Sequence, residues 1–233
     1  MKIEVLADPD AVARRAAGMV AEQARAAVKA RGRFTFAVSG GHTPWIMLRA
    51  LAGEQLPWDA IHVVQVDERV APADSDQRNL KHLRESLLSH APLPPGNLHA
   101  MPVEAADLPA AAAEYARTLE DLAGAPPVLD LVHLGLGPDG HTASLVPGDT
   151  VLEVTGIPVA LTGGLYQGCH RMTLTYPVLD AARAVLWLVT GAEKVDALGR
   201  LQRKDRTIPA GRVRQEHAVV VADRAAAAGL EGG

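Results

Sequence analysis

The sequence predicts an α/β fold, with a doubly wound, mostly parallel sheet and helices on both faces (Rossmann-like). Apolar segments of strand length alternate with segments of helical character along the 233 residues. Residues 128–134 are apolar almost throughout, which is typical of a parallel strand buried on both faces. Because the chain contains no linker-like stretch and no internal repeat, we expect one domain over residues 1–233.

Boundary signals define the predicted elements. Asp8 followed by Pro9 is typical of a helix N-terminus and predicts a helix to about residue 30, with no strand before it. A strand at 33–41 ends in a glycine turn, and Thr43 with Pro44 begins the next helix. The remaining predicted strands and extended segments are 61–66, 98–102, 128–134, 171–175, 184–190 and 218–221, and the remaining predicted helices are 77–89, 108–122 and 193–204.

Composition excludes several classes of function. Aromatic residues make up 3% of the chain and the formal net charge is −4, so we expect no nucleic-acid surface. Cys169 is the only cysteine, which excludes an internal disulfide and cysteine-rich metal sites. No apolar run approaches the roughly 20 residues of a membrane-spanning helix. The N-terminus also lacks a secretory signal, so we expect a soluble cytoplasmic protein that does not bind membranes.

Ligands of doubly wound sheets bind beyond the carboxyl ends of the strands. This rule selects the loops that follow the strands ending near Val38, Val66 and Leu134. In the first loop, Ser39, Gly40 and Gly41 precede a helix, so backbone N–H groups can approach an anion or a sugar oxygen closely.

The second loop carries two acids and an arginine, followed by Asn79. Asp67, Glu68 and Arg69 at a strand end are unusual for a plain turn. Arginine can bind phosphate or stabilise an oxyanion, whereas a surface ion-pair cluster is the plain structural alternative.

The third loop presents Asp139 and His141 on a glycine-bent segment. Its formal match to GxGxxG lacks the acid about 20 residues downstream that a dinucleotide site needs, so no nucleotide cofactor is expected. Histidine titrates near neutrality, which makes His141 a natural base for activating water. No metal-ligand spacing occurs, and His133, within an apolar strand, is interpreted as a core histidine.

Two cations follow downstream of these loops. Arg171 begins a predicted strand, and Lys194 lies in the first turn of a predicted helix, where a cation opposes the helix dipole. Because the protein as a whole is acidic, an anionic substrate would need such a local positive cluster.

Together these segments resemble the 6-phosphogluconolactonase family. The resemblance rests on SGGHTP, VDERVAP with Asn79, GLGPDGHTASLVPG, RMTLTYPVLDAA and VTGAEKVDAL, in that order, over about residues 34–200. It implies hydrolysis of 6-phospho-D-glucono-1,5-lactone to 6-phosphogluconate in the oxidative pentose phosphate pathway. Gln65 replaces an aromatic residue that is common in the family; this alters the packing beside Arg69 but removes no reactive group.

The resemblance also implies roles for individual residues. His141 would take a proton from the attacking water, Asp139 would orient the histidine or its loop, and Arg69 is the active-site arginine. Arg171 and Lys194 would hold the 6-phosphate. The other residues at family positions are Ser39, Gly40, Gly41 and Thr43 in the sugar site, Asn79 beside them, and Asp67 among the catalytic residues, with the roles of Asp67 and Asn79 less defined.

The residues are also compatible with two alternative functions. A glucosamine-6-phosphate deaminase/isomerase would have an additional acid after the histidine loop, where this chain has Leu145, Val146 and Pro147. A non-catalytic sugar-phosphate sensor would need an attached DNA-binding module, and the segment before the first predicted strand forms only one helix.

Since Ser39 is not in a GxSxG elbow and Cys169 lacks a partner, direct attack by water is favoured over an acyl-enzyme. The oligomeric state stays open, and a monomer is compatible with the sequence.

Overall fold

The computed structural model describes residues 1–230 and alternates strands with helices along the chain. The strands are β1 (Lys2–Leu6), β2 (Phe34–Val38), β3 (Ile61–Gln65), β4 (Asp67–Arg69), β5 (Leu98–His99), β6 (Leu131–Gly135), β7 (Val159–Leu161), β8 (Arg171–Leu174), β9 (Val185–Val189) and β10 (Ala218–Asp223). The α-helices are α1 (Pro9–Arg31), α2 (His42–Ala52), α3 (Asn79–Leu83), α4 (Leu108–Ala123), α5 (Tyr176–Ala181), α6 (Val195–Gln202) and α7 (Pro209–Arg212).

Seven of these strands form one parallel sheet, which confirms the predicted fold class. Their order is β1-β10-β9-β6-β2-β3-β5, and every neighbouring pair is parallel. From β2 the chain continues outward to β3 and β5, whereas β6 lies on the other side of β2 and leads to β9 and β10. The strand order therefore reverses between β2 and β6, and a ligand cleft is expected at the carboxyl ends of these two strands.

The sheet is covered on both faces by helices. Because side chains alternate along a strand, neighbouring residues belong to different cores. Phe36, Val63 and Leu186 pack in one cluster with α1 and α2. Val64 and Trp187 pack in the other cluster with α4 and α6. This two-sided burial explains why the strands read as nearly continuous apolar segments.

The first helix begins and ends at the residues that the sequence indicates. Asp8 is the N-cap, and its Oδ1 accepts the Ala11 N–H at 2.8 Å. Gly32 ends the helix with a φ of 75°, and its N–H donates to the Val28 carbonyl. Small alanine side chains on the buried face let α1 pack closely against α2 and the sheet.

The prediction that no strand precedes residue 33 was wrong. β1 pairs in parallel with β10, from Lys2 opposite Val219 to Leu6 opposite Asp223. It is an edge strand with charged residues and partly exposed side chains, so it lacks the continuous apolar pattern of the central strands.

A second, three-stranded antiparallel sheet in the order β4-β8-β7 also differs from prediction. β4 was expected to be a loop, and β7 was not predicted. The predicted helix at 77–89 consists of α3 followed by a π-helical turn at Arg84–Leu88. The predicted strand at 128–134 begins only at Leu131.

His133 is fully buried in β6, as its apolar surroundings indicated. Its Nδ1 accepts the backbone N–H of Ser39 at 3.2 Å. Burial lowers the pKa of His133 to about 3. In the unfolded chain a histidine takes up a proton below about pH 6.5, whereas the folded protein resists it down to about pH 3. The stability contributed by the neutral ring is therefore present above pH 6.5 and is lost as the pH falls through this window.

We therefore expect the contribution of His133 to lower the free energy of unfolding by roughly 1 kcal/mol for each unit that the pH falls below about 6. In His133→Asn, the Asn Oδ1 can replace Nδ1 as the acceptor for Ser39, but the side chain does not titrate. Denaturant unfolding between about pH 7 and pH 4.5 measures the slope for both proteins. An equally steep decline in His133→Asn would contradict the assignment.

Candidate active site

A cleft of about 310 Å³ opens where the strand order reverses. It lies at the carboxyl ends of β2 and β6, as the fold predicts. Its lining consists of Ser39, Gly40, Gly41, His42, Thr43, Pro44, Asp67, Arg69, Asn79, Gly135, Leu136, Gly137, His141, Ala143, Arg171, Leu188, Thr190, Glu193 and Lys194. Every site residue predicted from the sequence is among these except Asp139, which lies directly behind His141.

The loop after β6 holds a histidine and a carboxylate in contact. Asp139 Oδ1 lies 2.6 Å from His141 Nδ1 and also accepts the His141 backbone N–H at 3.1 Å. Burial alone would raise the pKa of Asp139, but hydrogen bonds and charge from His141, together with the hydroxyl of Tyr166, lower it. An ionised Asp139 favours the tautomer with the proton on Nδ1, which leaves Nε2 as the basic nitrogen.

Two glycines allow this loop to fold. Gly140 has a φ of 82°, and its N–H donates to the carbonyl of Gly137 at 3.0 Å. Gly137 lies against the imidazole, and a Cβ at this position would overlap both the His141 ring and the Asp139 carboxylate. The position of the His141–Asp139 pair therefore depends on the absence of a side chain at Gly137.

The second sheet contributes the charged side of the cleft. Antiparallel pairing of β4 with β8 places Arg69 opposite Arg171. Burial lowers the pKa of Arg171, the neighbouring charge of Arg69 lowers it further, and Asp67 opposes this effect. Asp67 Oδ2 lies 3.9 Å from Arg171 Nη1 and accepts the Ser144 hydroxyl at 2.7 Å. Two guanidinium groups next to one carboxylate leave excess positive charge, which suits an anionic ligand.

Asn79, at the start of α3, is hydrogen-bonded to both ends of β4. Its Nδ2 donates to the Asp67 carbonyl at 3.0 Å, and its Oδ1 accepts from the Arg69 guanidinium. The Arg69 guanidinium also donates to the Gln77 carbonyl at 3.1 Å. Asn79 therefore acts on the position of Arg69 as well as lining the cleft.

Glu68 has a structural role that the sequence did not reveal. Its side chain is fully buried, and its carboxylate accepts the backbone N–H groups of Arg69, Asn79 and Leu80 at 2.7–2.9 Å. Gln65 donates to the same carboxylate at 2.9 Å. Gln65 therefore contributes a hydrogen bond to the carboxylate that holds the Arg69 backbone, where the sequence indicated only altered packing beside Arg69.

The glycine loop after β2 is fixed by contacts to β6 and β9. The Ser39 hydroxyl donates to the His133 carbonyl at 3.0 Å, so its proton is engaged within the protein. Gly40 lies against Asn79, where a Cβ would overlap the amide. Thr43 Oγ1 lies 2.7 Å from Thr190 Oγ1, which ties the start of α2 to the segment after β9. The Ser39 hydroxyl proton is therefore not available to a ligand, whereas the backbone at Gly40 and Gly41 lines the cleft.

Lys194 closes the remaining side of the cleft at the N-cap of α6. Its Nζ lies 3.8 Å from the carboxylate of Glu193, which is mostly exposed. Glu193 and Thr190 were not singled out individually in the sequence, although both lie within the segment VTGAEKVDAL.

Residues 1–230 contain no group of three or more His, Cys, Asp or Glu side chains that could hold a metal ion. Within the same residues, no helix is both long and apolar enough to cross a membrane.

The fold and the cleft define a Rossmann-like α/β protein whose cleft, at the carboxyl ends of the strands, is lined by two arginines and a lysine. Comparison of sequences narrows this class. The model of the glucosamine-6-phosphate isomerase/6-phosphogluconolactonase family matches residues 7–222, and the chain belongs to this family. The resemblance noted from the sequence is thereby confirmed.

Individual relatives agree with this assignment. The chain is 38% identical over 203 residues to the 6-phosphogluconolactonase of Nostoc sp., covering 85% of this chain and 84% of the relative. It is 36% identical over 241 aligned positions to the 6-phosphogluconolactonase of Mycobacterium tuberculosis, covering 98% of each. The crystal structure of Thermotoga maritima 6-phosphogluconolactonase superposes with a TM-score of 0.85 at 29% identity, covering 95% of this chain and 98% of that one.

Proposed function

We propose that this protein hydrolyses 6-phospho-D-glucono-1,5-lactone to 6-phosphogluconate, a step of the oxidative pentose phosphate pathway. The observation that carries the proposal is the His141–Asp139 pair at a cleft that also holds Arg69, Arg171 and Lys194. Similarity to proteins named 6-phosphogluconolactonase over most of the chain supports this substrate. We further propose that residues 1–233 form one domain and that the protein is cytoplasmic. The proposed reaction uses neither a metal ion nor a cofactor.

In the proposed reaction, water attacks the lactone directly. His141 Nε2 accepts a proton from the water as its oxygen forms a bond to the carbonyl carbon, and the carbonyl electron pair moves onto oxygen. Arg69 and the backbone N–H groups near Gly40 and Gly41 are the donors available for this oxyanion. One well-placed donor contributes about 3 kcal/mol to the transition state.

The tetrahedral intermediate then collapses to product. The carbonyl re-forms, the bond to the ring oxygen breaks, and His141 returns its proton to that oxygen. Asp139 stabilises the imidazolium between the two proton transfers, because its ionised carboxylate is hydrogen-bonded to Nδ1. The chemistry needs no serine or cysteine nucleophile.

Arg171 and Lys194 bind the phosphate in this proposal, far along the substrate from the reacting carbon. Asp67 orients Arg171, since its carboxylate lies 3.9 Å from Nη1 and is itself held by Ser144. Binding energy from the unreactive phosphate offsets the cost of positioning the lactone at His141.

We expect Lys194→Ala to lower kcat/KM for the phosphorylated lactone about ten- to a hundredfold, because a hydrogen bond between charged groups is worth about 1.5–3 kcal/mol. Hydrolysis of unphosphorylated gluconolactone should change little. Lys29→Ala, at the far end of α1, is the matched control for removing a lysine. An equal loss on both lactones in Lys194→Ala would contradict the assignment of the phosphate site.

The proposed function is tested by generating the lactone in situ with glucose-6-phosphate dehydrogenase. Its disappearance is followed against the spontaneous background, with and without the protein. Acceleration by the folded protein supports the proposal. No acceleration, together with ammonia release from glucosamine 6-phosphate, would indicate the deaminase; binding of sugar phosphate without turnover would indicate a sensor.

A further inference from the structure

A tight hairpin before β8 carries a tyrosine to the His141–Asp139 pair. Tyr166 and Cys169 form an isolated antiparallel bridge, and the Tyr166 N–H donates to the Cys169 carbonyl at 3.0 Å. The two residues between them, Gln167 and Gly168, have φ values of 54° and 85°. Two consecutive left-handed residues are typical of the two-residue turns that close antiparallel hairpins. The direction of the Tyr166 side chain is therefore set by the backbone.

The hydroxyl of Tyr166 contacts both members of the pair. It donates to Asp139 Oδ2 at 3.2 Å and lies 3.2 Å from His141 Nδ1. Since Oδ1 of Asp139 is held by His141, both carboxylate oxygens have partners. The Tyr166 and His141 rings also meet edge to face, with centroids 5.2 Å apart. The carboxylate and the imidazole are thus restrained from the side of the pair that Tyr166 occupies.

The ring of Tyr166 also supports a cation of the cleft. The Arg171 guanidinium carbon lies 5.0 Å from the Tyr166 ring centroid, within the range of a cation–π contact. Arg171 Nη2 donates to Gln167 Oε1 at 3.0 Å and to the Tyr166 carbonyl at 3.4 Å. Tyr166 therefore contacts both the proposed base and a residue proposed to bind the phosphate. Its hydroxyl lies against His141, and its ring lies against Arg171.

The segment leading into the hairpin is anchored by an acid. The Asp149 carboxylate accepts the N–H groups of Gly163 and Gly164 at 2.9 and 3.0 Å, and that of Val151 at 2.8 Å. Leu165, directly before Tyr166, is 66% exposed and makes an unusual apolar surface residue. The hairpin is thus held at its base, and the side chain that it directs inward is the polar-tipped Tyr166.

We propose that Tyr166 is a positioning residue, whose hydroxyl orients Asp139 and His141 and whose ring orients Arg171. This inference rests on the proposed lactonase function. Two parts of this side chain then have separate effects. Loss of the hydroxyl lowers kcat, and loss of the ring raises KM for the phosphorylated substrate.

The test compares Tyr166→Phe, Tyr166→Ala and the neighbouring control Leu165→Ala in the lactone assay. Tyr166→Phe keeps the ring, so we expect kcat to fall about tenfold while KM stays within about twofold of wild type. Tyr166→Ala should in addition raise KM for the phosphorylated lactone, but not for gluconolactone. Leu165→Ala should match wild type in kcat and KM.

The pH profile supplies a readout that a purely structural role would not change. The hydroxyl of Tyr166 helps to lower the pKa of Asp139. Without it Asp139 takes up a proton at higher pH and then no longer stabilises the imidazolium formed in the reaction, so the acidic limb of kcat/KM should move to higher pH in Tyr166→Phe.

Each outcome is decisive. Wild-type kcat in Tyr166→Phe, or an unshifted pH profile, would overturn the inference and leave the proposed function standing. A wild-type protein that does not accelerate lactone hydrolysis would overturn the proposed function, and the inference with it.

Discussion

His141→Ala should hydrolyse 6-phosphogluconolactone about 10²–10⁴-fold more slowly than wild type, the range expected when a general base is removed. His141 is the histidine whose Nδ1 is held by an ionised carboxylate, at 2.6 Å, while its ring lines the cleft. Its side chain is 21% exposed and lies on a loop, so its loss should leave the core intact. The measurement is kcat in the in-situ lactone assay, after background subtraction.

His90→Ala is the matched control, because His90 is an exposed histidine outside the cleft. It should retain wild-type kcat. Circular dichroism and thermal unfolding of both variants establish that they are folded. If His141→Ala kept most of the wild-type kcat, another group would have to be the base.

The second large effect is expected from a single added methyl group. Gly137→Ala places a Cβ where the structure has the His141 ring and the Asp139 carboxylate, so both must move. Misplacement of a catalytic group by about 1 Å can cost about 10²-fold in rate, and we expect kcat to fall by at least this factor. The residues proposed to bind the phosphate, Arg171 in β8 and Lys194 at the N-cap of α6, lie outside this loop. We therefore expect KM to change much less than kcat.

Gly156→Ala is the control for replacing a loop glycine. An added Cβ at Gly156 has no neighbouring atom within 4 Å, and the residue lies outside the cleft. It should have wild-type kcat. A crystal structure of Gly137→Ala should place the imidazole away from its wild-type position. Wild-type activity in Gly137→Ala would mean that the observed contact of His141 with Asp139 is not the working geometry.

The sequence predicted the central sheet well because its strands are buried on both faces. Strands such as β6 and β9 are short apolar runs, and the two longest helices begin at N-cap aspartates, Asp8 for α1 and Asp107 for α4. The elements that it missed owe their conformation to tertiary pairing. Asp67–Arg69 is a charged tripeptide with no strand propensity of its own, and it becomes β4 by pairing with β8 while Glu68 is buried under backbone N–H groups.

For the site, the sequence indicated the loops but not the groups that connect them. Residues at strand ends could be placed together, because carboxyl ends of parallel strands share one edge of the sheet. The roles of Glu68 and Tyr166 could not be predicted in this way. Their significance lies in hydrogen bonds to residues distant in sequence, such as Leu80 or Asp139, and no local pattern encodes these contacts. The glycine-rich segment around Tyr166 was the only local signal of a tight hairpin there.

The proposed reaction depends above all on the imidazole of His141, which acts as the base that activates water on the phosphorylated lactone. Chemical rescue tests it most directly: the rate of lactone loss is measured with His141→Ala as free imidazole is added, and the rate with imidazole alone is subtracted. We expect a rate near background without imidazole that rises in proportion to the concentration of unprotonated imidazole. Rapid hydrolysis by His141→Ala in the absence of imidazole would contradict it.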